Sequence, residues 1–319
     1  MDNKYIAQLN AGDEVQDFYM IRECSTRISS GNKMYFDLQL MDRTGEINAK
    51  YWEAQEGDIA IYKVGTIVKI RGSVQLFQNK LQMRIARIRP AEEIDDVHTE
   101  DFVASAPIDP QEMLDTILGY VDSMKAEDLK KLCNAFVEVF RTRLMYYPAA
   151  KSNHHAIRSG LLYHVLRMLQ SAEKLMGIYT WLDADLLYCG VILHDIAKIE
   201  EMDAGELGIV KEYTSGGQLL GHLIQGIMLV DRLGREQGLS DERRMLVQHM
   251  ILTHHYEPEF GSPKKPMIPE AELLHFLDMI DARMYDMESA LSTVSEGRFS
   301  DPIWALDRRR VYRPLGLTE

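Results

Sequence analysis

Histidine and aspartate residues recur at five places in the second half of the chain, each within or beside an apolar segment of helical periodicity. Imidazole nitrogens and carboxylate oxygens are ligands that suit Mn, Fe, Co or Zn ions. Helices packed in a bundle can point such side chains at one spot. We therefore predict a divalent metal site whose ligands come from His164, His194, Asp195, His222, His254, His255 and Asp278.

The last carboxylate of this set has two candidates. Asp278 and Asp281 are three residues apart, which puts them on nearly the same face of a helix, so that either could reach the metal. Lys198 follows His194 by about one helical turn. It either faces the metal cleft, where its charge would neutralise a phosphoryl oxygen, or is a solvated surface lysine.

Hydrolysis of a phosphate ester is the chemistry that this set of side chains supports. Divalent cations lower the pKa of a bound water and neutralise charge on a phosphoryl group. Within the set, the predicted catalytic residues are His194, Asp195 and Lys198, with Asp195 orienting the attacking water.

Charge is divided unevenly along the 319 residues. The net charge is −13, but residues 1–90 carry 13 Lys/Arg and 11 Asp/Glu, for +2, and the remainder carries 23 and 38, for −15. The stretch 59–91 holds seven basic residues and no acidic one. Net acidity alone argues against a nucleic-acid partner. Bound cations reverse the local field, however, so an acidic module that holds metal remains compatible with a phosphate substrate.

The three cysteines are far apart and odd in number, which excludes a disulfide framework and Cys-rich zinc motifs. This cysteine usage fits a reducing compartment, so we expect a cytoplasmic protein. The polar N-terminus shows no signal-peptide pattern, and no apolar run is long enough to span a bilayer. We expect no membrane partner.

The first 90 residues show a hydrophobic period near two, broken by turn residues. The pattern predicts five short strands, at 15–24, 33–42, 46–52, 66–77 and 80–88. Five strands in fewer than a hundred residues indicate a small closed barrel. Their order resembles the OB-fold of the tRNA-anticodon-binding type, in which one face binds oligonucleotides.

Residues 91–109 are acidic, contain prolines and lack periodicity, which indicates a linker. Helical periodicity dominates from residue 110 to 319. The predicted helices are 110–124, 126–145, 155–176, 183–199, 217–237, 240–255 and 269–290. The predicted fold is therefore a multidomain chain, a five-stranded OB-fold β-barrel followed by an all-α helical bundle.

Nucleic-acid contacts are predicted in two places. On the barrel, aromatic rings could stack bases and basic side chains could track phosphates, the candidates being Tyr35, Lys50, Trp52, Arg71, Lys80 and Arg84. The alternative is that Trp52 closes the barrel end and the basic residues are solvated. Before the first ligand helix, His154, His155 and Arg158 could touch the substrate phosphate, or His154 could cap a helix.

The ordered set of histidines and aspartates resembles the HD superfamily of phosphohydrolases. Its signature is His194-Asp195 followed by Lys198, in HDIAK. The resemblance implies that His164, His194, Asp195 and Asp278 hold one metal, which favours Asp278 over Asp281. In members with two metals, His222 and one of His254 and His255 complete a second site.

More specifically, YYPAAKSNHHAIRSGLLYH, GGQLLGH and LTHHYEPEFGSPKKP are similar to segments of the YhaM-type 3′–5′ exoribonucleases of Gram-positive bacteria. That resemblance covers the whole chain. It implies an OB-fold joined to an HD domain, Mn²⁺ as the cofactor, a cytoplasmic location and release of nucleoside 5′-monophosphates. The sequence has Gly-Ser-Pro after His255 where the HD-GYP enzymes have Gly-Tyr-Pro, which argues against that subclass.

Degradation of single-stranded RNA is thus the predicted function, with single-stranded DNA as a further candidate substrate. Two alternatives are an HD-type nucleotide phosphohydrolase and a non-catalytic nucleic-acid-binding factor. A barrel with a stacking groove argues against the first, because a mononucleotide needs none, and the intact ligand set argues against the second. The C-terminal tail mixes aromatic and basic residues and could dock on a neighbouring subunit of a homo-oligomer.

Overall fold

The computed structural model describes residues 5–29, 31–78, 80–97, 101–151 and 154–316. The chain divides into two compact units, Met1–Ser105 and Ala106–Glu319. Part of the predicted linker, residues 98–100, lies outside the described residues. Within the described ranges, no helix combines the length and the apolarity needed to cross a membrane.

The N-terminal unit is a closed barrel of five strands in the order β1-β2-β3-β5-β4. The strands are β1 Glu14–Ile28, β2 Met34–Asp42, β3 Gly45–Tyr51, β4 Ile67–Phe77 and β5 Lys80–Pro90. Strands β3 and β5 pair in parallel, and the other neighbours pair antiparallel. The long β1 pairs with both β2 and β4 and has an irregular register between Ile21 and Glu23. The predicted five-stranded barrel is confirmed.

Alternation of side chains fills the barrel. On β2, Phe36, Leu38 and Leu40 are fully buried, as expected for alternate residues of a strand with one face on a core. Gly72 lies at an irregularity between β4 and β5, where a Cβ would stand 2.4 Å from the carbonyl oxygen of Arg84. Glycine is therefore required for the two strands to approach there.

The C-terminal unit is built from eight helices and two short hairpins within the described residues. The helices are α1 Pro110–Ser123, α2 Glu127–Leu144, α3 Gly160–Met176, α4 Ala184–Leu193, α5 Lys198–Glu201, α6 Ser215–Glu236, α7 Asp241–Thr253 and α8 Pro269–Ser292. The hairpins are β6 Met202–Ala204 with β7 Val210–Tyr213, and β8 Arg298–Phe299 with β9 Tyr312–Arg313.

Helix α4 is the centre of this unit. Seven of its ten residues are buried, which is typical of a helix surrounded by others. Asp183 caps its N-terminus by accepting a hydrogen bond from the Leu186 amide. Gly190 faces Met250 of α7, whose terminal methyl group would lie 2.2 Å from an added Cβ. The small residue lets α7 pack closely, so that the ends of α4 and α7 come together.

Three predicted helices differ in their limits, each beside a candidate ligand. The helix expected over 155–176 begins at Gly160, because His155 and Ser159 have positive φ values of 52° and 62°. The helix expected over 183–199 ends at Leu193 and resumes as α5 after a turn. Within α6, Gly221 interrupts the helix with φ 69° and ψ 165°. The two hairpins were not predicted.

Candidate metal centre

Asp195 is the hub of the candidate site and is 2% exposed. Its Oδ2 atom lies 3.4 Å from Nε2 of His194 and 3.9 Å from Nε2 of His164. Its Oδ1 atom lies 3.4 Å from Nε2 of His222 and 3.5 Å from Nε2 of His254. One imidazole pair therefore faces each carboxylate oxygen, an arrangement that fits two cations sharing Asp195.

Helix ends set the orientation of two of these rings. His194 follows the last residue of α4, and its Nδ1 lies 2.8 Å from the carbonyl oxygen of Val191. His254 follows the last residue of α7, and its Nδ1 lies 2.8 Å from the carbonyl oxygen of Ile251. Carbonyls in a last helical turn lack helical partners and can only accept, so each Nδ1 carries the proton. The lone pair of each Nε2 is then directed into the site.

Carboxylates orient the other two rings. Nδ1 of His164 lies 2.8 Å from Oδ2 of Asp281. Nδ1 of His222 lies 3.1 Å from Oε1 of Glu201, and the same oxygen accepts the His222 amide at 3.0 Å. Pairing of a ligand histidine with a carboxylate fixes the ring and raises its basicity toward a metal.

The atoms that face Asp195 have no partners of their own. Nε2 of His164, His194, His222 and His254 is buried without a hydrogen bond within the described part of the chain, and so is Oδ1 of Asp195. Buried polar atoms are seldom left unpaired, and five that converge on one point need an explanation. Cations bound between them would satisfy all five. A donor set of imidazoles and carboxylates suits Mn, Fe, Co or Zn.

The structure separates Asp278 from Asp281. Oδ1 of Asp278 lies 3.4 Å from Nε2 of His164, the unpaired nitrogen of that ring. Asp278, His194 and His254 also offer one ligand atom each, and these atoms lie within 4.8 Å of one another, close enough to share a metal ion. Burial raises the pKa of Asp278, but the nearby imidazoles of His164 and His194 outweigh it and lower the pKa, so the carboxylate is ionised.

Asp281 occupies the opposite side of the His164 ring. Besides Nδ1 of His164, it accepts hydrogen bonds from His155 Nε2 at 2.7 Å and from Arg167 Nε at 2.5 Å. Two imidazoles and a guanidinium thus satisfy this carboxylate. Its position is that of a group that holds His164 in place.

The three residues predicted to touch phosphate before α3 have different surroundings. His155 is fully buried with Nε2 against Asp281, so a nucleic-acid contact does not fit its position. His154 lies with its ring centroid 5.9 Å from that of His164, at the edge of the site. Burial, together with the charges of Lys198 and His164, lowers the His154 pKa to about 4. Arg158 donates to the carbonyl oxygen of Glu206, in the turn of the β6–β7 hairpin, at 3.1 Å.

Lys198 faces the site, and the solvated alternative does not fit. Its ammonium nitrogen lies 2.7 Å from Oδ2 of Asp195, and its side chain is 12% exposed. Burial raises the pKa of Asp195, but the charge of Lys198 and the neighbouring imidazole of His194 outweigh it and hold the pKa well below its usual value. Asp195 is therefore a carboxylate at neutral pH.

His255 is placed on the Oδ1 side of Asp195. Its ligand atom and those of Asp195, His222 and His254 lie within 4.8 Å of one another, close enough to share a metal ion. Its ring centroid lies 5.1 Å from that of His222. Its Nδ1 is held by the carbonyl oxygen of Phe260 at 2.6 Å. Burial, together with the neighbouring imidazoles of His254 and His222, lowers its pKa to about 3, so the ring is neutral, as a metal ligand must be.

Sequence reasoning missed Glu201 and the role of the glycines near it. Glu201 is three residues after Lys198 on α5, a spacing that could have placed it on the same side. The turn at Gly221 frees the His222 amide to bond Glu201, and its positive φ requires glycine. A Cβ at Gly217 would lie 2.1 Å from the carbonyl oxygen of Glu201. These glycines let α6 approach α5.

On the barrel, three of the predicted contact residues line one groove. They are Trp52, Arg71 and Arg84, with Arg87 beside them. Trp52 is 44% exposed, and Tyr35 stacks on it with ring centroids 4.3 Å apart. This arrangement joins an aromatic surface to several guanidinium groups.

The remaining two barrel candidates are placed differently. Lys50 has its ammonium 5.7 Å from the Tyr35 ring centroid but 2.6 Å from Oδ1 of Asp37, which neutralises it. Lys80 lines a separate groove together with Phe77, so it is not brought together with Trp52 and Arg84.

Family models match both units. Residues 161–283 match the HD domain, and residues 21–91 match the OB-fold nucleic acid binding domain. All the candidate metal ligands lie within the first range.

Curated relatives match nearly the whole chain. The protein named 3′-5′ exoribonuclease YhaM of Bacillus subtilis strain 168 is 38% identical over 95% of this chain and 96% of its own length. The protein of the same name from Halalkalibacterium halodurans is 39% identical over 97% of this chain and 96% of its own. Among solved structures, the second OB-fold domain of replication protein A from Methanococcus maripaludis matches 28% of this chain and 96% of that domain, with 19% identity and a TM-score of 0.23.

Proposed function

The chain belongs to the YhaM family of 3′–5′ exoribonucleases, and from this premise we propose that it shortens single-stranded RNA from the 3′ end at Asp195, releasing nucleoside 5′-monophosphates. The observation that carries the proposal is the set of four unpaired Nε2 atoms distributed over the two oxygens of one buried aspartate. A non-catalytic nucleic-acid-binding protein does not require that arrangement, and neither does a cluster with a purely structural role.

The donor set suits two divalent cations of Mn, Co, Fe or Zn. We propose Mn²⁺ as the native ion because the resemblance to the YhaM-type enzymes implies it. His164, His194 and Asp278 would hold one ion, and His222, His254 and His255 the other, with Asp195 shared. Such ions supply Lewis acidity and a water of lowered pKa for in-line attack on a phosphodiester.

Side chains around the site supply the charges that the reaction needs. Asp195 is ionised and buried, and its carboxylate is oriented by Lys198. The ammonium of Lys198 is close enough to the site to neutralise charge that grows on the phosphoryl oxygens. His154 is neutral at the edge of the site and so adds no competing charge.

The barrel is assigned to substrate binding. We propose residues 1–90 as the nucleic-acid-binding domain, 91–109 as the linker and 110–319 as the catalytic domain with its tail. The groove beside Trp52 supports this division, because exposed rings stack on bases of any identity and guanidinium groups bind phosphates. Single-stranded DNA offers the same bases and phosphates and is a second proposed substrate.

Location and assembly are proposed on narrower grounds. The three cysteines are free thiols, which fits the reducing cytoplasm. We also propose that the chain forms a homo-oligomer. Measurement of its molecular mass in solution tests this.

One assay tests the proposal against its alternatives. The protein is incubated with 5′-labelled single-stranded RNA, or DNA of the same sequence, and Mn²⁺. A His194→Ala/Asp195→Ala variant removes the site, and His249→Ala is the matched control, because His249 is outside the candidate clusters. We expect a ladder that shortens from the 3′ end with wild type and His249→Ala only. Hydrolysis of deoxynucleoside triphosphates alone would indicate a nucleotide phosphohydrolase, and retarded but uncut RNA a binding factor.

A further inference from the structure

The last part of the described chain carries a cluster of exposed rings and guanidinium groups on the β8–β9 hairpin. We propose that this cluster binds single-stranded RNA several nucleotides upstream of the 3′ end that is being hydrolysed. The inference rests on the proposed function and adds to it a second RNA-binding surface, on the catalytic unit itself. We call it the tail surface, and it consists of Arg298, Phe299, Trp304, Arg308, Arg310 and Tyr312.

Its rings are exposed and each is accompanied by an arginine or another ring. Trp304 is 74% exposed, with the guanidinium carbon of Arg308 4.5 Å from the ring centroid. Phe299 is 56% exposed, pairs with Tyr312 across the hairpin at a centroid distance of 4.9 Å, and has Arg310 at 5.9 Å. Bases stack on such rings, and arginine adds cation–π and phosphate contacts.

The hairpin is a fixed element rather than a loose end. Leu306 is fully buried, and the hydroxyl of Ser300 accepts the Val311 amide at 2.9 Å. Arg313 donates to the carbonyl oxygen of Val294 at 2.9 Å, just beyond the end of α8, and Arg283 of α8 pairs with Asp307 at 2.9 Å. The exposed rings are therefore held in position by the hairpin, although their own contacts do not build its core.

Charge distinguishes the hairpin from the rest of its unit. Residues 298–313 contain five arginines and two aspartates, for a net charge of +3. The other residues from 106 to 319 contain 18 Lys/Arg and 30 Asp/Glu, for −12. A polyanion is repelled by most of this unit and attracted to the hairpin. RNA is the partner with both the charge and the aromatic bases that the tail surface fits.

Helix α8 connects the tail surface to the metal centre. Asp278 lies on α8, and two contacts anchor the hairpin to this helix: Arg283 with Asp307, five residues further along, and Arg313 with the carbonyl of Leu291, 13 residues further along. At 1.5 Å per residue these contacts are about 8 Å and about 20 Å from Asp278 along the helix axis. The paired strands that carry Phe299 and Tyr312 are at the far contact, which a dinucleotide at the metal centre cannot reach, whereas a longer strand can. The tail surface is therefore expected to act on long substrates only.

Kinetics on two substrate lengths test this. Phe299→Ala and Arg298→Glu/Arg310→Glu, which alter the strand pair at the far contact, are compared with wild type on a 20-nucleotide RNA and on a dinucleotide, with Mn²⁺. The matched controls are Trp181→Ala, whose ring is 70% exposed elsewhere on the same unit, and Arg232→Glu, exposed on α6. We expect both tail variants to raise KM for the 20-mer about five- to tenfold, as loss of a stacked base does, with kcat and dinucleotide hydrolysis unchanged. The controls should match wild type.

Several results would overturn the inference. One is an unchanged KM for the 20-mer in both tail variants, after circular dichroism has verified that the variants are folded. Another is an equal loss on the dinucleotide. A third is a fall in molecular mass in light scattering that accompanies the loss, since the tail surface would then be a contact between copies of the chain. Failure of the wild-type protein to shorten the 20-mer would instead contradict the proposed function. The same kinetic assay shows this, so the two failures are distinguishable.

Discussion

Oδ2 of Asp281 lies 2.8 Å from Nδ1 of His164, on the side of the ring that faces away from Asp195. Asp281 therefore orients the imidazole, while Asp278 shares the Nε2 side with the candidate cation. We predict that Asp281→Asn weakens metal binding by about 10- to 100-fold, as loss of an outer carboxylate typically does, and that high Mn²⁺ restores activity. Asp278→Asn should remain inactive at any Mn²⁺ concentration. Activity measured against Mn²⁺ concentration checks both.

The opposite pattern would exchange the two roles. If Asp278→Asn were rescued by Mn²⁺ and Asp281→Asn were not, Asp281 would be the ligand. The hydrogen bonds from His155 and Arg167 would then need another explanation.

Glu201 is predicted to do for His222 what Asp281 does for His164. Glu201→Gln keeps the size of the side chain but removes the charge that pairs with Nδ1 of His222. We expect Mn²⁺ affinity to fall about 10- to 100-fold in the titration of activity. Glu200→Gln is the matched control, because Glu200 pairs with Arg143 outside the cluster. Equal losses in the two variants would mean that α5 as a whole is disturbed and that Glu201 has no special role.

The turn at Gly221 is predicted to be essential. Its φ of 69° and ψ of 165° fall in a region that is nearly restricted to glycine, so Gly221→Ala should cost about 1–3 kcal/mol and displace His222. We expect a lower Tm in thermal unfolding and loss of activity. Gly119→Ala, in an exposed stretch of α1 with open space around it, should raise stability by about 0.4–1 kcal/mol instead. A Gly221→Ala protein with wild-type Tm would show that the turn at this position does not require glycine.

The barrel groove yields a prediction on affinity. Trp52→Ala removes an exposed ring and its stack with Tyr35, so binding of single-stranded RNA should weaken by about 1–3 kcal/mol. Fluorescence anisotropy with a labelled 20-mer measures this. Phe77→Ala is the control, since Phe77 is 52% exposed but lines a different groove. Similar losses in the two variants would show that the groove beside Trp52 is not the preferred surface.

Much of the fold could be predicted because its periodicities are strong. The alternation of Phe36, Leu38 and Leu40 marks a strand with one face on a core, and turn residues separate it from its neighbours. The five strands therefore begin and end close to the predicted positions. The candidate ligands were also accessible from sequence, because His194-Asp195 with Lys198 and an ordered series of histidines is a rare combination.

What sequence could not give are features that depend on backbone conformation and on partners distant along the chain. Positive φ at His155 and Ser159 delays the start of α3 and buries one of two adjacent histidines, which no periodicity reveals. Asp278 and Asp281 share a helix face by spacing alone, and only the position of the His164 ring separates them. Glu201 acquires its role because α6 turns at Gly221 and brings His222 against it.

We propose that one aspartate, Asp195, holds two cations between two pairs of imidazoles. Anomalous diffraction from a crystal soaked in Mn²⁺, recorded at the manganese edge, measures this directly. We expect two peaks flanking Asp195, one beside Oδ2 with His164 and His194 and one beside Oδ1 with His222 and His254. Peaks elsewhere, with none at Asp195, would contradict it.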